Sequence, residues 1–255
     1  MTRILALTNQ KGGVGKTTTA CNLGAALAQR GRRVLLIDLD PQSNLTMCFG
    51  LKPYAQEYTA YQVLLTPKAG VGPAIQSMRE RLDLVPAQLD MAAAEIELAS
   101  RVGRETLLRR ALAPVRAEYD YILIDPPPSL GLFTLNALAA ATEVLIPLQV
   151  EFLAYQAIAQ LQQTIALLQE EINPTLTLGG VLCTMVDSRK RLDTAIETRI
   201  RTLFGDRVYQ TVIPNNVRLA EATMLGKPVM EYDAASAGAQ AYTALAEELD
   251  HGATN

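Results

Sequence analysis

Six short apolar runs punctuate the chain, at residues 4–7, 34–37, 121–124, 144–147, 178–182 and 208–213. They are apolar at successive positions rather than at alternate ones, the pattern of strands covered on both faces of a parallel sheet. Between them, residues 18–29, 153–171 and 194–204 carry apolar side chains at three-to-four spacing, as amphipathic helices do. This alternation predicts an α/β fold, a doubly wound and mostly parallel sheet with helices on both faces. Residues 51–118 give weaker strand signals and are expected to be mostly helical, with one short strand near 82–85. No repeat, low-complexity tract or linker divides the chain, so a single domain over residues 1–255 is expected.

Composition narrows the chemistry. With 255 residues and 49% hydrophobic content the chain can bury a substantial core. A formal charge of -3 supplies no overall pull toward nucleic acid, so any such contact needs a local basic patch. Cys21, Cys48 and Cys183 are widely separated and form no CxxC pair, which argues against a disulfide framework or a zinc site. The sole histidine, His251, lies close to the C-terminus, which removes Ser-His-Asp hydrolysis from consideration. There is neither a charged leader followed by an apolar stretch nor an uninterrupted apolar run of about 18 residues. A cytoplasmic protein that is neither secreted nor membrane-spanning is therefore expected.

The first apolar run leads into Asn9-Gln10-Lys11-Gly12-Gly13-Val14-Gly15-Lys16-Thr17-Thr18, after which a helix opens. Strand, Gly-rich loop and helix N-terminus in that order form a phosphate cradle. The glycines let backbone N–H groups turn inward, and the helix adds its positive dipole end. In such a loop Lys16 can bridge the outer phosphates and the Thr17 hydroxyl can ligate Mg2+. The strict G-x-x-x-x-G-K-[ST] pattern would place glycine at position 10, where Gln10 stands, and Lys11 is an additional cation. KGGVGKT resembles the deviant Walker A signature of the ParA/MinD family of ATPases, in particular its short, Soj-like ParA branch.

That resemblance implies an ATP- and Mg2+-dependent ATPase that closes as a homodimer over two nucleotides. Lys11 then reaches the partner's phosphates, as an arginine finger supplied in trans would. Two further acidic segments fit. Residues 34–42 read VLLIDLDPQ, with Asp38 and Asp40 just past a buried strand; the resemblance makes Asp40 the residue that orients the attacking water and puts Asp38 near the Mg2+. Residues 121–125 read YILID, a Walker B element in which Asp125 holds Mg2+, through water given the tightness of that ion's hydration shell. Pro126 follows it where the family usually has Cys. Farther along, Pro214 and Asn215 correspond to the family's adenine-side loop, with Asn215 in place of the usual Arg. The nucleotide-contacting set is thus Lys11, Gly12, Gly13, Val14, Gly15, Lys16, Thr17, Thr18, Pro214 and Asn215. Its catalytic members are Lys11, Lys16 and Asp40, and Thr17, Asp38 and Asp125 serve the metal.

Between residues 187 and 227 basic side chains outnumber acidic ones, reversing the sign of the whole chain. Such a stripe can neutralise phosphates without reading bases. ParA relatives use this half of the chain on DNA, so Arg189, Arg191 and Arg218 are the leading candidates. The acidic C-terminal stretch Glu247-Glu248-Leu249-Asp250 differs from the basic membrane helix of MinD-like proteins, and no membrane partner is expected. With the first strand starting near residue 3, no helix-turn-helix is expected before it. The implied role is nucleoid-associated partitioning of a chromosome or plasmid, driven by a ParB-like or other adaptor that stimulates hydrolysis. Positioning of another cargo, such as carboxysomes or chemoreceptor clusters, uses the same engine. A metabolic P-loop enzyme of the dethiobiotin-synthetase or metal-cluster type is the reading from a different class, and Lys11 speaks against it.

Overall fold

The computed structural model describes residues 1–151 and 154–252, with backbone alone for residues 92 and 154–162. Seven strands form one sheet: β1 (Arg3–Leu7), β2 (Val34–Asp38), β3 (Gln76–Arg79), β4 (Leu82–Val85), β5 (Tyr121–Asp125), β6 (Glu143–Gln149) and β7 (Thr177–Thr184). Their spatial order is β3-β4-β2-β5-β1-β6-β7, and only the β3–β4 pair is antiparallel. The helices are α1 (Lys16–Gln29), α2 (Asn44–Met47), α3 (Ala60–Leu65), α4 (Met91–Leu98), α5 (Leu107–Leu112) and α6 (Leu132–Ala140). They continue with α7 (Ala154–Glu171), α8 (Arg191–Phe204), α9 (Val217–Met224), α10 (Val229–Tyr232) and α11 (Ala237–His251). The predicted start of α7 at residue 153 lies outside the described residues.

The continuous apolar character of the strands has a direct cause. Successive side chains enter two separate cores, because the period of a strand is two. Ile4, Ala6, Leu35, Ile37, Ile122 and Ile124 pack against α3 to α6 on one face. Leu5, Leu7, Val34, Leu36, Tyr121 and Leu123 pack against α1 and α11 on the other. Helix α11 is fastened by polar contacts as well. The Tyr242 and Thr19 hydroxyls share a buried hydrogen bond of 3.1 Å, and Arg3 clamps Glu143 while donating to the Leu249 carbonyl.

Two elements differ from expectation. Strand β3 joins β4 through the two-residue turn Glu80-Arg81, with Arg81 at φ 61°. Its sequence, Gln76-Ser77-Met78-Arg79, alternates between half-buried and exposed positions, as an edge strand covered on one face does. The run at 208–213, conversely, forms no strand. Only single bridges join Val208 to Val181 and Pro214 to Val186, and the Gln210 and Thr211 amides donate to the Glu248 carboxylate instead of to a neighbouring strand. Among the described residues no helix is long and apolar enough to cross a membrane. Cys21, in α1, is buried in the core shared with α11.

Candidate functional site

Strands β1, β2 and β5 are neighbours, and their C-terminal ends open onto one crevice. Above it, the Gly-rich loop is held at both ends. Asn9, buried, donates to the Pro147 carbonyl at 2.8 Å and accepts from the Lys11 amide at 3.0 Å. At the far side the Thr184 hydroxyl at the end of β7 donates to the Val14 carbonyl at 2.9 Å. Gly13 (φ 75°) and Gly15 (φ 90°) take the left-handed conformation, which side chains with a Cβ adopt only under strain. Helix α1 begins without a side-chain cap or an acidic residue in its first turn, so its first N–H groups keep no internal partner. A loop built this way attracts a multiply charged anion.

The charged groups beneath are arranged to meet it. Lys16 is buried, and desolvation lowers its pKa against the opposing pull of Asp125 and Asp40. Its ammonium donates to the Lys11 carbonyl at 3.3 Å. Asp125 has no exposure, and neither of its carboxylate oxygens completes a hydrogen bond. Burial drives its pKa well above the usual carboxylate range, with Asp38 adding to the shift, while the nearby Thr17 hydroxyl and Lys16 offset part of it. A buried carboxyl without partners is a costly arrangement unless a cation completes it. Asp125 with Thr17 therefore fits a divalent metal.

Asp38 pairs in register with Asp125 on the adjacent strand but is occupied differently. Its carboxylate accepts from the Thr46 amide (2.8 Å), the Thr46 hydroxyl (2.7 Å) and the Asp40 amide (3.1 Å). Burial nevertheless raises its pKa to about 7. These bonds tie the start of α2 and the Asp40 turn to the end of β2, so Asp38 positions Asp40. Asp40 accepts from the Gln42 amide at 2.9 Å and borders the same cavity as Gly13 and Lys16.

Two cavities meet at Gly15, Thr18 and Met185. One, of about 410 Å3, holds the loop glycines, Lys16, Thr17 and Asp40. The other, of about 330 Å3, is more apolar and is walled by Ile213, Pro214, Asn215, Val217, Leu219 and Tyr242. Its mouth exists because the Val186–Pro214 bridge and the Asn215 amide, donating to the Val186 carbonyl at 3.1 Å, draw the loops after β7 and before α9 together. A flat aromatic base beside a polyphosphate matches this pair of volumes. Thr18, Pro214 and Asn215 thus line the more apolar cavity, whereas Val14 is buried in the loop.

Lys11 points elsewhere. Its ammonium, on a half-exposed side chain, reaches Glu151 at 2.5 Å and Gln149 at 3.2 Å, at the end of β6. Arg189 lies in the turn before α8, Arg191 is the first residue of α8, and Arg218 is the second residue of α9. Arg189 closes on Asp187, and Arg218 closes on Glu221 at 2.7 Å and Asp233 at 3.4 Å. Thr184, Met185, Thr46 and Glu151 escape motif reading. Thr184 and Glu151 act through contacts distant in sequence, Thr46 bonds Asp38 across a turn and Met185 lines both cavities; a polar residue ending an apolar strand is the local sign that Thr184 gives.

The chain matches a family model described as an AAA domain over residues 2–178. It is 47% identical over 249 residues to the sporulation initiation inhibitor protein Soj of Bacillus subtilis, covering 98% of both chains. It is equally 47% identical to the chromosome partitioning protein ParA of Caulobacter vibrioides, covering 97% of this chain and 93% of that one. Among solved structures, it resembles the cobyrinic acid a,c-diamide synthase of Mycobacterium smegmatis with bound ATP analogue and magnesium. That likeness has a TM-score of 0.87 and 39% identity, covering all of this chain and 97% of the other. Together with the KGGVGKT cradle, the buried Asp125 and the parallel sheet that carries them, these likenesses place the chain in the ParA/MinD family of deviant P-loop ATPases, in its Soj-like ParA branch.

Proposed function

We propose that the chain is a ParA-type ATPase that works as an ATP-dependent dimer switch in the partitioning of a chromosome or plasmid. The observation that carries the reading is the divergence of two lysines from one loop. Lys16 turns into the cradle and is buried, while Lys11 turns out of it to Glu151 and Gln149. A cation held outside its own phosphate site can serve another subunit's by exchanging its contact with Glu151.

Within one subunit the loop amides and Lys16 bind the triphosphate, and the second cavity takes the base. Thr17 and Asp125 hold Mg2+, with Asp38 behind them; the ion screens charge on the phosphate oxygens when bound. Asp40, fixed by Asp38 and by the Gln42 amide, orients the attacking water. Lys11 of the facing subunit stabilises charge spread over the transferred phosphoryl group, so turnover requires the dimer. DNA engages Arg189, Arg191 and Arg218 non-specifically on the nucleoid, and a ParB-like or other adaptor stimulates hydrolysis. Differential affinity of the ATP and ADP states for DNA makes this a switch.

The name carried by the mycobacterial structure favours a second reading, a metabolic P-loop enzyme. Light scattering with a non-hydrolysable ATP analogue and magnesium separates the two. Dimerisation is expected, and Asp40→Ala is expected to retain ATP and accumulate the dimer. A chain that stays monomeric under both conditions overturns the switch.

A further inference from the structure

A second cationic face lies outside the nucleotide site, on the loop between α4 and α5. Many arginines of the described residues are neutralised by a carboxylate, among them Arg3, Arg30, Arg32, Arg79, Arg201 and Arg218. Arg101 and Arg110 form no ion pair among the described residues. They are held instead by backbone carbonyls, Arg101 by that of Leu65 at 2.7 Å and Arg110 by that of Gly103 at 2.9 Å. A guanidinium carries five N–H donors, so each keeps several free after this anchoring. Side chains already fixed lose less entropy when they bind. Lys68 adds charge from a turn that packs on α5, where the Val71 amide donates to the Ala111 carbonyl.

Each of three nearby acids has a partner, although among the described residues only Glu105 meets a cation and Glu95 and Glu97 keep their charge. Glu105 pairs with Arg104, Glu97 accepts from the Tyr61 hydroxyl, and Glu95 accepts from the Leu132 amide at 2.9 Å. Among these charges stand two large apolar side chains open to solvent, Val102 at 95% and Ile96 at 81% exposure. A nucleic-acid backbone would satisfy the arginines but offer nothing to Val102 and Ile96, since such interfaces are strongly polar. A peptide that alternates carboxylates with apolar side chains satisfies both.

The face is also tied to the loop after β5. Asn136 of α6, fully buried, accepts from the Leu108 amide at 3.1 Å and donates to the Arg104 carbonyl at 2.8 Å. Glu95 of α4 holds the first residue of α6, Leu132, which closes the loop running from Asp125. We propose that Arg101, Arg110, Val102 and Ile96 form a docking surface for an acidic peptide segment with apolar anchors, supplied by a partner protein. A partner seated there pulls on the segment that ends at the metal-facing carboxylate. The inference is independent of the cargo and of the DNA surface.

The test is fluorescence anisotropy of the full chain with a short fluorescein-labelled peptide of alternating Glu and Leu. A Lys–Leu peptide and duplex DNA form the comparison arms. The Glu–Leu peptide is expected to bind in a salt-sensitive way. Arg101→Glu with Arg110→Glu is expected to weaken it about tenfold or more, Val102→Ser to weaken it severalfold, and Arg218→Glu to leave it unchanged. A thermal melt confirms folding of each variant, and Arg101→Gln with Val102→Ser serves if the double reversal does not fold. The proposal is overturned if the Glu–Leu peptide fails to bind, if the substitutions leave it unchanged, or if the Lys–Leu peptide binds as well. It is equally overturned if the arginine reversals cost affinity for DNA and not for the peptide.

Discussion

The phosphate crevice and the flank formed by α8 and α9 handle charge in opposite ways. In the crevice, Asp125 is sealed from water without a hydrogen-bond partner, and Lys16 is partly stripped of solvent beside it. On the flank, Arg189 and Arg218 lie at the surface with their charges met by Asp187, Glu221 and Asp233. The crevice thus holds an unmet demand that a metal and polyphosphate can satisfy, and burial there favours the neutral form of the carboxyl. The flank carries only a modest surplus, and a polyanion must compete with carboxylates already in place. The first arrangement suits tight, chemically selective binding. The second suits weak, salt-sensitive association with any sequence.

The sharpest way to break this contrast is at Lys11, the loop cation that turns out of the crevice and pairs with Glu151. Lys11→Ala is expected to lower dimer-dependent ATP turnover by roughly 10^3, the lower end for a cation supplied in trans. Phosphate release at wild-type rates in that variant removes the trans role. Next in size, Asp125→Asn is expected to abolish magnesium's contribution to nucleotide binding, on the order of a hundredfold by calorimetry, while leaving the nucleotide-free protein as stable or more so. A large loss of stability without ligand would show that Asp125 is already satisfied.

A pH series sharpens the same point. Asp38, raised to about 7, and Asp125, also pushed upward by burial, favour bound protons in the folded state that the unfolded chain has released above about pH 4. The folded form therefore binds more protons in that window, and their contribution to stability falls as pH rises from about 4 through 7. Scanning calorimetry is expected to show the melting temperature of the nucleotide-free protein dropping by several degrees toward pH 8. Magnesium with an ATP analogue should narrow the drop, since the metal compensates the exposed charge. A flat profile would show that neither carboxyl is uncompensated.

The smallest effects belong to the flank. Arg218→Glu is expected to weaken duplex DNA binding only severalfold and to flatten its salt dependence, because the native charge is already shared. Glu221→Ala, which frees Arg218 from its nearer partner, is expected to strengthen binding by a similar factor. If both changes leave the salt titration untouched, the DNA surface lies on other residues.

What could be read in advance followed from locality. The strands beneath the crevice were legible because being covered on both faces leaves an unbroken apolar run, as in Val34 to Ile37 and Tyr121 to Ile124. The cradle was legible because its chemistry is contiguous from Lys11 to Thr18. Strand β3 was not, since an edge strand wears polar residues and gives no unbroken run. Residues 208–213 misled for the converse reason: they are apolar enough for a strand, but the Glu248 carboxylate takes the amides that a ladder would need. The hold of Thr46 on Asp38, of Thr184 on Val14 and of Glu151 on Lys11 depends on neighbours that only folding brings together.

The bond between the Thr184 hydroxyl and the Val14 carbonyl is a mechanical coupling in miniature. It joins the rim of the Gly-rich loop to the strand whose next few residues enter the turn that carries Arg189 before α8. Recoil of that rim on phosphate loss would travel one short covalent path to the surface without disturbing the sheet, much as a latch moves a handle while the door stays still.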